Sequence, residues 1–396
     1  MKRKIAIIGI GSAGVQSLCH MLTWLTGEWE VTSIYNPDIN ILGIGESTNP
    51  NFISAIQYGL DFDLIADLNA LDATHKFGTK YKNWRKHEFV SPLILGTTAI
   101  HFNTHKLKDF ALTRFRSLWG DKFKEIEGNV ISLKNTKDYV SVQIDNYELK
   151  FDYVIDCRGF PSTFDETYEV IKDAPVNHAL VHNINHNSKL DFTMHTATKN
   201  GWMFEIPLQS RTSYGYLYND KITSYENAKQ DFSETIGIDS ENLDNIEYKF
   251  SSYYTNTLIQ GRIIRNGNRA VFFEPMFANS LFIYDRINRY AIDIIRGSYT
   301  EQQVNPSFVV KVAKPVEDMI YFHYHGGSIF ESEFWKHTKK SSYDKLMLSE
   351  SFNRVTPILK NITKNKYWIE DSDSVWVYLP INVIKISKNF GYDYFT

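Results

Sequence analysis

The sequence predicts an α/β protein organised around a Rossmann-like dinucleotide-binding sheet, and three observations predict it. A short apolar run, Ile5–Ile8, leads into Gly9-Ile10-Gly11-Ser12-Ala13-Gly14, which fits the G-x-G-x-x-G spacing, and Val15–Leu25 follows at helical intervals without proline. Trp29–Tyr35 alternates as a second parallel strand. Much later, Val154–Phe160 reads as a buried strand ending in a polar turn. Strand, glycine turn and helix in that order are the context that gives the glycine pattern meaning.

Each residue of the turn has a physical task. Gly9 permits the tight turn, Gly11 lets a pyrophosphate approach the backbone, and Gly14 allows the helix to pack closely on the strand. The N-terminus of the helix that follows offers free N–H groups and a partial positive charge to phosphates. The second strand ends at Tyr35-Asn36-Pro37-Asp38. A ribose-binding acid is absent at its usual place, and Asn36 or Asp38 is the available substitute. The loop Gly43-Ile44-Gly45-Glu46-Ser47-Thr48-Asn49-Pro50 is rich in N–H donors and hydroxyls and is placed to lie along a cofactor. Ser47 or Thr48 is expected to cap a helix starting near Pro50.

In Asp72–Trp84 the later part alternates, with Phe77, Thr79 and Tyr81 on one side and Lys76, Lys80 and Lys82 on the other. A strand with three lysines is expected at an exposed edge. One lysine can instead point into a site, and alternation does not choose which. Asn103 or Thr104 caps a helix through Phe115, and Gly128–Val142 with Glu148–Ile155 predicts a small β-meander returning to the parallel sheet. Asp156 and Gly159 sit at a strand C-terminus, where parallel sheets bind ligands. Gly201–Pro207 and Tyr214–Tyr218 predict a hairpin. Gly261–Phe273 is strand-like, Glu274–Ser280 interrupts it, and Leu281–Arg296 is helical, so a polar turn again feeds a helix N-terminus. The C-terminal portion alternates a helical run, Tyr343–Leu359, with an aromatic stretch, Tyr367–Tyr378.

With 396 residues, 43% hydrophobic and 22% charged, the chain has ample core for two domains, or for one with an inserted lobe. A net charge of −3 gives no reason to invoke nucleic acid or an anionic membrane surface. No apolar stretch is long enough to span a bilayer. Two cysteines, Cys19 and Cys157, form no C-x-x-C pattern and suit a reducing cytoplasm. His323 and His325 with Glu331 and Glu333 match no metal-ligand spacing, and packing on an aromatic strand-to-loop segment explains them better. His178, His182 and His186 fall four apart among asparagines that disfavour an aligning helix. No metal site is expected.

Several stretches, in order, resemble the flavin-dependent tryptophan halogenases. They are Gly9–Gly14, Pro37–Phe52 with its G-x-G-E-S-T core, Thr74–Trp84, Ile100–Phe110 and Val154–Phe160. Gly201–Tyr218 resembles the family's W-x-W-x-I-P signature, with Phe204 for the second Trp. Phe273–Ser280 resembles the E-P-L-E-[SA]-T-G turn. The resemblance implies an FAD-binding domain of the glutathione-reductase/hydroxylase type, over 1–165 and 257–300, with a substrate-side lobe over 166–256 and 301–396. It implies reduced FAD, O2 and a halide (chloride, bromide or iodide) that together make hypohalous acid. That acid travels to Lys76, the family's catalytic lysine by alignment, and halogenates an electron-rich aromatic. A separate flavin reductase is the implied partner. Around the flavin, the resemblance places Gly9, Gly11, Ser12, Ala13, Gly14, Asn36, Gly45, Glu46, Ser47, Thr48, Asp156, Gly159, Phe273 and Pro275. Around the halide and substrate it places Trp202, Phe204, Phe277, Asn279 and Ser280, with Glu274 as a second catalytic group.

The departures from the family matter. Its second glutamate, across from the lysine, falls at Phe277, and its Thr-Gly pair falls at Asn279-Ser280. Segment 85–99 is much shorter than in the tryptophan-specific enzymes, as is the C-terminal portion. A more open pocket is expected, for an indole- or phenol-like molecule that is free or supplied by a partner, rather than tryptophan. The alternatives are a monooxygenase or oxidase on the same fold, or a flavin-binding protein without catalysis.

Overall fold

A computed structural model describes residues 2–41, 43, 46–93, 96–185, 190–365 and 380–392. Gly45, His186 and the stretch 367–378 lie outside the described residues. Two sheets carry the architecture. The first has six strands, with Arg3–Ile8 between Trp29–Tyr35 and Tyr153–Asp156, then Phe123–Glu127 on one flank and Ile263–Arg265 on the other. All five run parallel, and Ile259–Gln260 closes the edge antiparallel. Helices Ser12–Trp24 and Ser280–Arg296 pack on one another. The small meander Val130–Asn135, Val140–Ile144 and Tyr147–Phe151 seals its own apolar cluster against Ala6, Ile8, Ile34 and Val154. Side chains of the first strand are therefore buried on both faces, as a continuous apolar run requires. This is the α/β, Rossmann-like fold that the glycine turn implied.

The second sheet has seven strands. His178–Ile184, Thr212–Tyr218, Trp202–Pro207 and Thr193–Ala197 form its antiparallel centre, and Gly78–Lys82 joins parallel to Thr193–Ala197. The predicted hairpin is the pair Trp202–Pro207 and Thr212–Tyr218.

Five expectations need correction. The lysine-rich strand is not an edge, because Gly78–Lys82 lies between Thr193–Ala197 and Phe89–Pro92. Nor is it one strand. Thr74–Lys76 pairs with Ala99–Phe102 in a separate three-stranded sheet, and Gly78, at φ +155°, marks the break. The alternation fails there, so Phe77 points outward, 48% exposed, while Lys76 turns in. The helix Pro50–Leu60 is capped by Asn49, whose side chain accepts from the Phe52 N–H, and not by Ser47 or Thr48. His323 lies on a helix, Lys314–Tyr324, with His325 at its C-cap, rather than on a strand. Finally, the run Tyr343–Leu359 spans two helices, Glu333–Leu348 and Glu350–Asn365, split at Ser349.

Candidate active site

The glycine turn has the geometry its three positions demand. Gly9 sits at φ +97°, and a Cβ there would stand 2.6 Å from the Cys157 carbonyl oxygen. A Cβ on Gly14 would stand 2.0 Å from the Gly9 carbonyl oxygen. A Cβ on Gly11 would meet nothing within 4 Å, so this face is open to a ligand. Helix Ser12–Trp24 begins here with no side-chain cap and no acid in its first turn, leaving its first N–H groups to a phosphate. Behind it, the Ser17 hydroxyl donates to Asn288 Oδ1 at 2.8 Å and accepts from Asn266 Nδ2 at 3.0 Å. This buried network ties the turn to helix Ser280–Arg296.

A cavity of about 440 Å³ opens alongside. Its walls join the two sheets. Glu46, Ser47, Ser280 and Tyr284 come from the nucleotide side, and Thr79, Thr193, His195 and Phe204 from the seven-stranded side. Phe160, Phe250 and Phe272 add aromatic lining. Such a volume, mostly apolar with a few convergent polar groups, suits a small molecule or a cofactor ring. Helix Ser280–Arg296 presents its N-terminus here, since Ser280 and Leu281 lie on the wall. The Ser12 hydroxyl donates to the Glu46 carboxyl, and burial raises the affinity of Glu46 for its proton.

The other predicted cofactor residues take varied places. Thr48 Oγ1 donates to the Ile100 carbonyl at 2.8 Å and accepts from its N–H at 2.8 Å, which pins the loop to strand Ala99–Phe102. Asp156 is clasped by Arg158, whose Nε and Nη2 each donate at 2.8 Å, with Arg269 3.4 Å away. Gly159, at φ +80°, turns the chain just beyond it. Asn36 Oδ1 accepts from the Asp38 N–H at 2.9 Å in a surface turn. Phe273 and Pro275 line the cavity.

Lys76 is the decisive group. Its side chain is 4% exposed, and Nζ donates to Ser47 Oγ at 2.7 Å and to the Thr48 carbonyl at 2.8 Å. Burial without an anionic partner brings its pKa down to about 7. Lys80, by contrast, pairs with Glu88 at 2.6 Å, and Lys82 is exposed. The split between two sheets thus separates the three lysines that alternation left equivalent. Ser47 belongs both to the cavity wall and to the shell of Lys76. Thr193 Oγ1 lies 2.7 Å from Ser47 Oγ and 2.9 Å from His101 Nε2. Burial and the neighbouring Lys76 charge hold both His101 and His195 well below the usual imidazole range, so both are neutral at pH 7.

The turn Glu274–Ser280 forms a second polar group. Trp202 Nε1 donates to Tyr324 Oη at 2.6 Å, and Tyr324 donates to Glu274 Oε2 at 2.7 Å. Burial raises the Glu274 pKa to about 8, and its Oε1 has no hydrogen-bond partner. Asn279 Nδ2 holds the Glu274 and Met276 carbonyls at 2.8 and 3.1 Å. Phe277 and Ala278 both sit at φ +53°, a region L-residues avoid, and Phe277 stacks on His323 with centroids 5.5 Å apart. The two predicted catalytic groups share no hydrogen-bond partner: Lys76 is held by Ser47 and Thr48, whereas Glu274 is held by Tyr324. Sequence reasoning missed Thr193, His195 and Tyr324. No local pattern marks them, because Thr193 meets Ser47 and His101, His195 meets Tyr81, and Tyr324 meets Glu274 only once distant parts of the chain fold together.

These features define a nucleotide-binding α/β enzyme scaffold with a buried lysine of lowered pKa beside a cavity. A family model for tryptophan halogenases matches residues 4–136 and 96–384, so the chain belongs to the tryptophan halogenase family. It is 21% identical to the tryptophan 7-halogenase RebH of Lentzea aerocolonigenes over 85% of this chain and 79% of that protein. The same shares of the two chains align at 19% identity with the tryptophan 6-halogenase ThaL of Streptomyces albogriseolus. The fold superposes on a tryptophan halogenase from Shewanella frigidimarina with a TM-score of 0.81, at 17% identity over 99% of this chain and 89% of that one. Xcc4156, a flavin-dependent halogenase from Xanthomonas campestris, gives a TM-score of 0.71 at 18% identity over 88% and 83% of the two chains. No helix among the described residues is long and apolar enough to cross a membrane, and no three His, Cys, Asp or Glu side chains among them gather to hold a metal ion.

Proposed function

We propose that this chain is an FAD-dependent halogenase acting on an electron-rich, indole- or phenol-like aromatic through Lys76. The observation that carries this reading is the buried amine of Lys76, bonded to a hydroxyl that is itself part of the cavity wall. The open face of Gly11, the uncapped helix start and the adjoining cavity fit a flavin dinucleotide, with the pyrophosphate at Gly11–Gly14 and the ring system between Glu46–Ser47 and Pro275–Ser280. Reduced FAD, when bound, supplies with O2 and a halide the oxidising equivalent that leaves as hypohalous acid. The chain's residues do the rest. Phe204 and His195 shape the cavity wall. Trp202 lies fully buried behind it, its ring inclined at 54° to that of His195 with centroids 4.9 Å apart, and excludes substrate and water from the cavity. With a pKa near 7, Lys76 is present in both forms at neutral pH. The ammonium hydrogen-bonds hypohalous acid. The free amine displaces water from it to give an N-halo group, which an aromatic carbon then attacks, returning the amine. Reduced FAD comes from a separate reductase. Asn279 and Ser280, at the start of helix Ser280–Arg296, offer the halide its N–H groups.

The test is an assay with purified protein, FAD, NADH, a flavin reductase, a phenol and indole panel, and chloride, bromide or iodide. Halogenated product is expected from wild type. Lys76→Ala is expected to give none while still binding FAD, and unchanged halogenation in that variant refutes the assignment. One observation favours a second reading. Phe277 replaces the family acid and is packed on His323, which suits a monooxygenase or oxidase that has lost halogenation. Hydroxylated but never halogenated product would decide for it.

A further inference from the structure

A chain of hydroxyls and one imidazole runs away from Lys76, and its direction is fixed by its far end. Thr74 Oγ1 lies 2.7 Å from the Pro207 carbonyl oxygen. A carbonyl only accepts, so the Thr74 proton lies between them. His101 Nδ1, 3.2 Å from Thr74 Oγ1, must then donate to it. The neutral ring consequently has a bare Nε2, which takes the Thr193 proton across 2.9 Å. Thr193 Oγ1 in turn accepts the Ser47 proton across 2.7 Å. Ser47 is left with lone pairs only, and it accepts from Lys76 Nζ at 2.7 Å. The other partner of Lys76, the Thr48 carbonyl, also only accepts.

We propose that Thr193 and His101 are positioning residues for Lys76, holding the Ser47 hydroxyl as an acceptor so that neither partner of Lys76 donates to its nitrogen. A neutral amine has two N–H groups and one lone pair. Both N–H groups are committed to Ser47 and Thr48, so the lone pair has one direction and no donor quenches it. That is the state a nucleophilic amine needs. The inference rests on the Proposed function for its chemical meaning, but the arrangement itself is independent of flavin and halide. It also gives Pro207, the last residue of the Trp202–Pro207 strand, the task of anchoring the chain's polarity.

The titratable groups around Lys76 agree with this direction. His101 faces it from strand Ala99–Phe102, and His195 from strand Thr193–Ala197 with His323 beyond. Burial and the lysine charge keep His101 and His195 neutral. Glu46, next to Ser47 in sequence, turns its carboxyl to Ser12 and is not a partner of the amine.

Two measurements on the protein without flavin, halide or substrate test the inference, so a failed halogenation assay leaves them unaffected. The first reads the wild type and uses one variant only for assignment. Histidine 15N spectra, with His101 assigned by H101Q, are expected to show the Nδ1–H tautomer. An Nε2–H tautomer in the wild type would overturn the proposal. The second is an NMR titration of the Lys76 amine, assigned by K76M. Thr193→Val frees the Ser47 proton to serve the neutral amine, which lowers the Lys76 midpoint by about 0.5–1 pH unit, the size of one neutral hydrogen bond. Thr193→Ser restores the wild-type midpoint. A Thr193→Val protein that titrates like wild type refutes the positioning role.

Discussion

Replacing Lys76 by Met removes a buried amine and keeps most of its volume, so the pH dependence of stability should change in a calculable way. The amine titrates near 7 in the folded chain and near 10.4 when exposed by unfolding. Between those values the unfolded state binds a proton that the folded state does not, so stability rises with pH across the window. Integrating from pH 7 to pH 9 with these two values gives about 2 kcal/mol in favour of the folded wild type. Below pH 7 both states carry the proton and the term levels off, leaving the folded chain with a protonated, desolvated lysine. The Met variant lacks the term altogether. Urea unfolding of wild type and Lys76→Met at pH 6, 7, 8 and 9 isolates it, because every other titrating group contributes to both proteins. The gap between them should move toward wild type by about 2 kcal/mol from pH 7 to 9 and hardly at all from 6 to 7. A gap that stays constant would show that Lys76 keeps an ordinary pKa, and one that moves toward the variant would equally refute a lowered pKa.

Glu274→Gln should show the opposite sign. Its carboxyl is held protonated up to about pH 8, so its contribution is full below the unfolded value near 4.3 and is lost as pH rises through 8. Urea unfolding at pH 6 and 9 should show wild type losing about 2–3 kcal/mol relative to the variant, whose amide still accepts from Tyr324. Tyr324→Phe removes the donor to Glu274 and the acceptor for Trp202 together. It should cost about 2 kcal/mol in thermal or urea unfolding, with both buried partners left unpaired. The glycines of the phosphate turn should separate cleanly. Gly14→Ala forces a methyl against the Gly9 backbone and should lower melting temperature and FAD affinity together. Gly11→Ala projects into open space and should leave melting unchanged while weakening FAD binding, as read by flavin fluorescence quenching.

Much of the nucleotide side was legible in the sequence because its signals are local. A four-residue apolar run, a fixed glycine spacing and an amphipathic continuation specify strand, turn and helix with no help from distant residues. Glycine roles transfer directly from spacing to geometry, as Gly9, Gly11 and Gly14 show. The lysine side was legible only as a set of candidates. Lys76, Lys80 and Lys82 share one alternating pattern, and only the break at Gly78, which hands the chain from one sheet to another, gives them different environments. The cap of helix Pro50–Leu60 was misassigned for a related reason, whereas Asn103 caps its helix as expected. Ser47, Thr48 and Asn49 are all competent caps, and the first two are drawn off by Lys76 and by strand Ala99–Phe102. The His323 segment was misread because its aromatic density resembles a strand, whereas tertiary packing around Tyr81, Phe277 and Phe390 selects a helix.

The strand order of the first sheet carries a consequence for biogenesis. Arg3–Ile8 cannot acquire its second neighbour until Tyr153–Asp156 is made, and that strand waits for Ile263–Arg265. Two-thirds of the chain must leave the ribosome before the phosphate turn has its complete support. The Glu274 carboxyl waits longer still, for Tyr324. A nascent chain of 250 residues would hold an apolar parallel strand with an open edge, and one of 300 residues a buried acid without its donor, both aggregation hazards. Chaperone dependence during synthesis, and insolubility of fragments ending before residue 324, are the natural outcome of placing the cofactor loop first and its buttresses last.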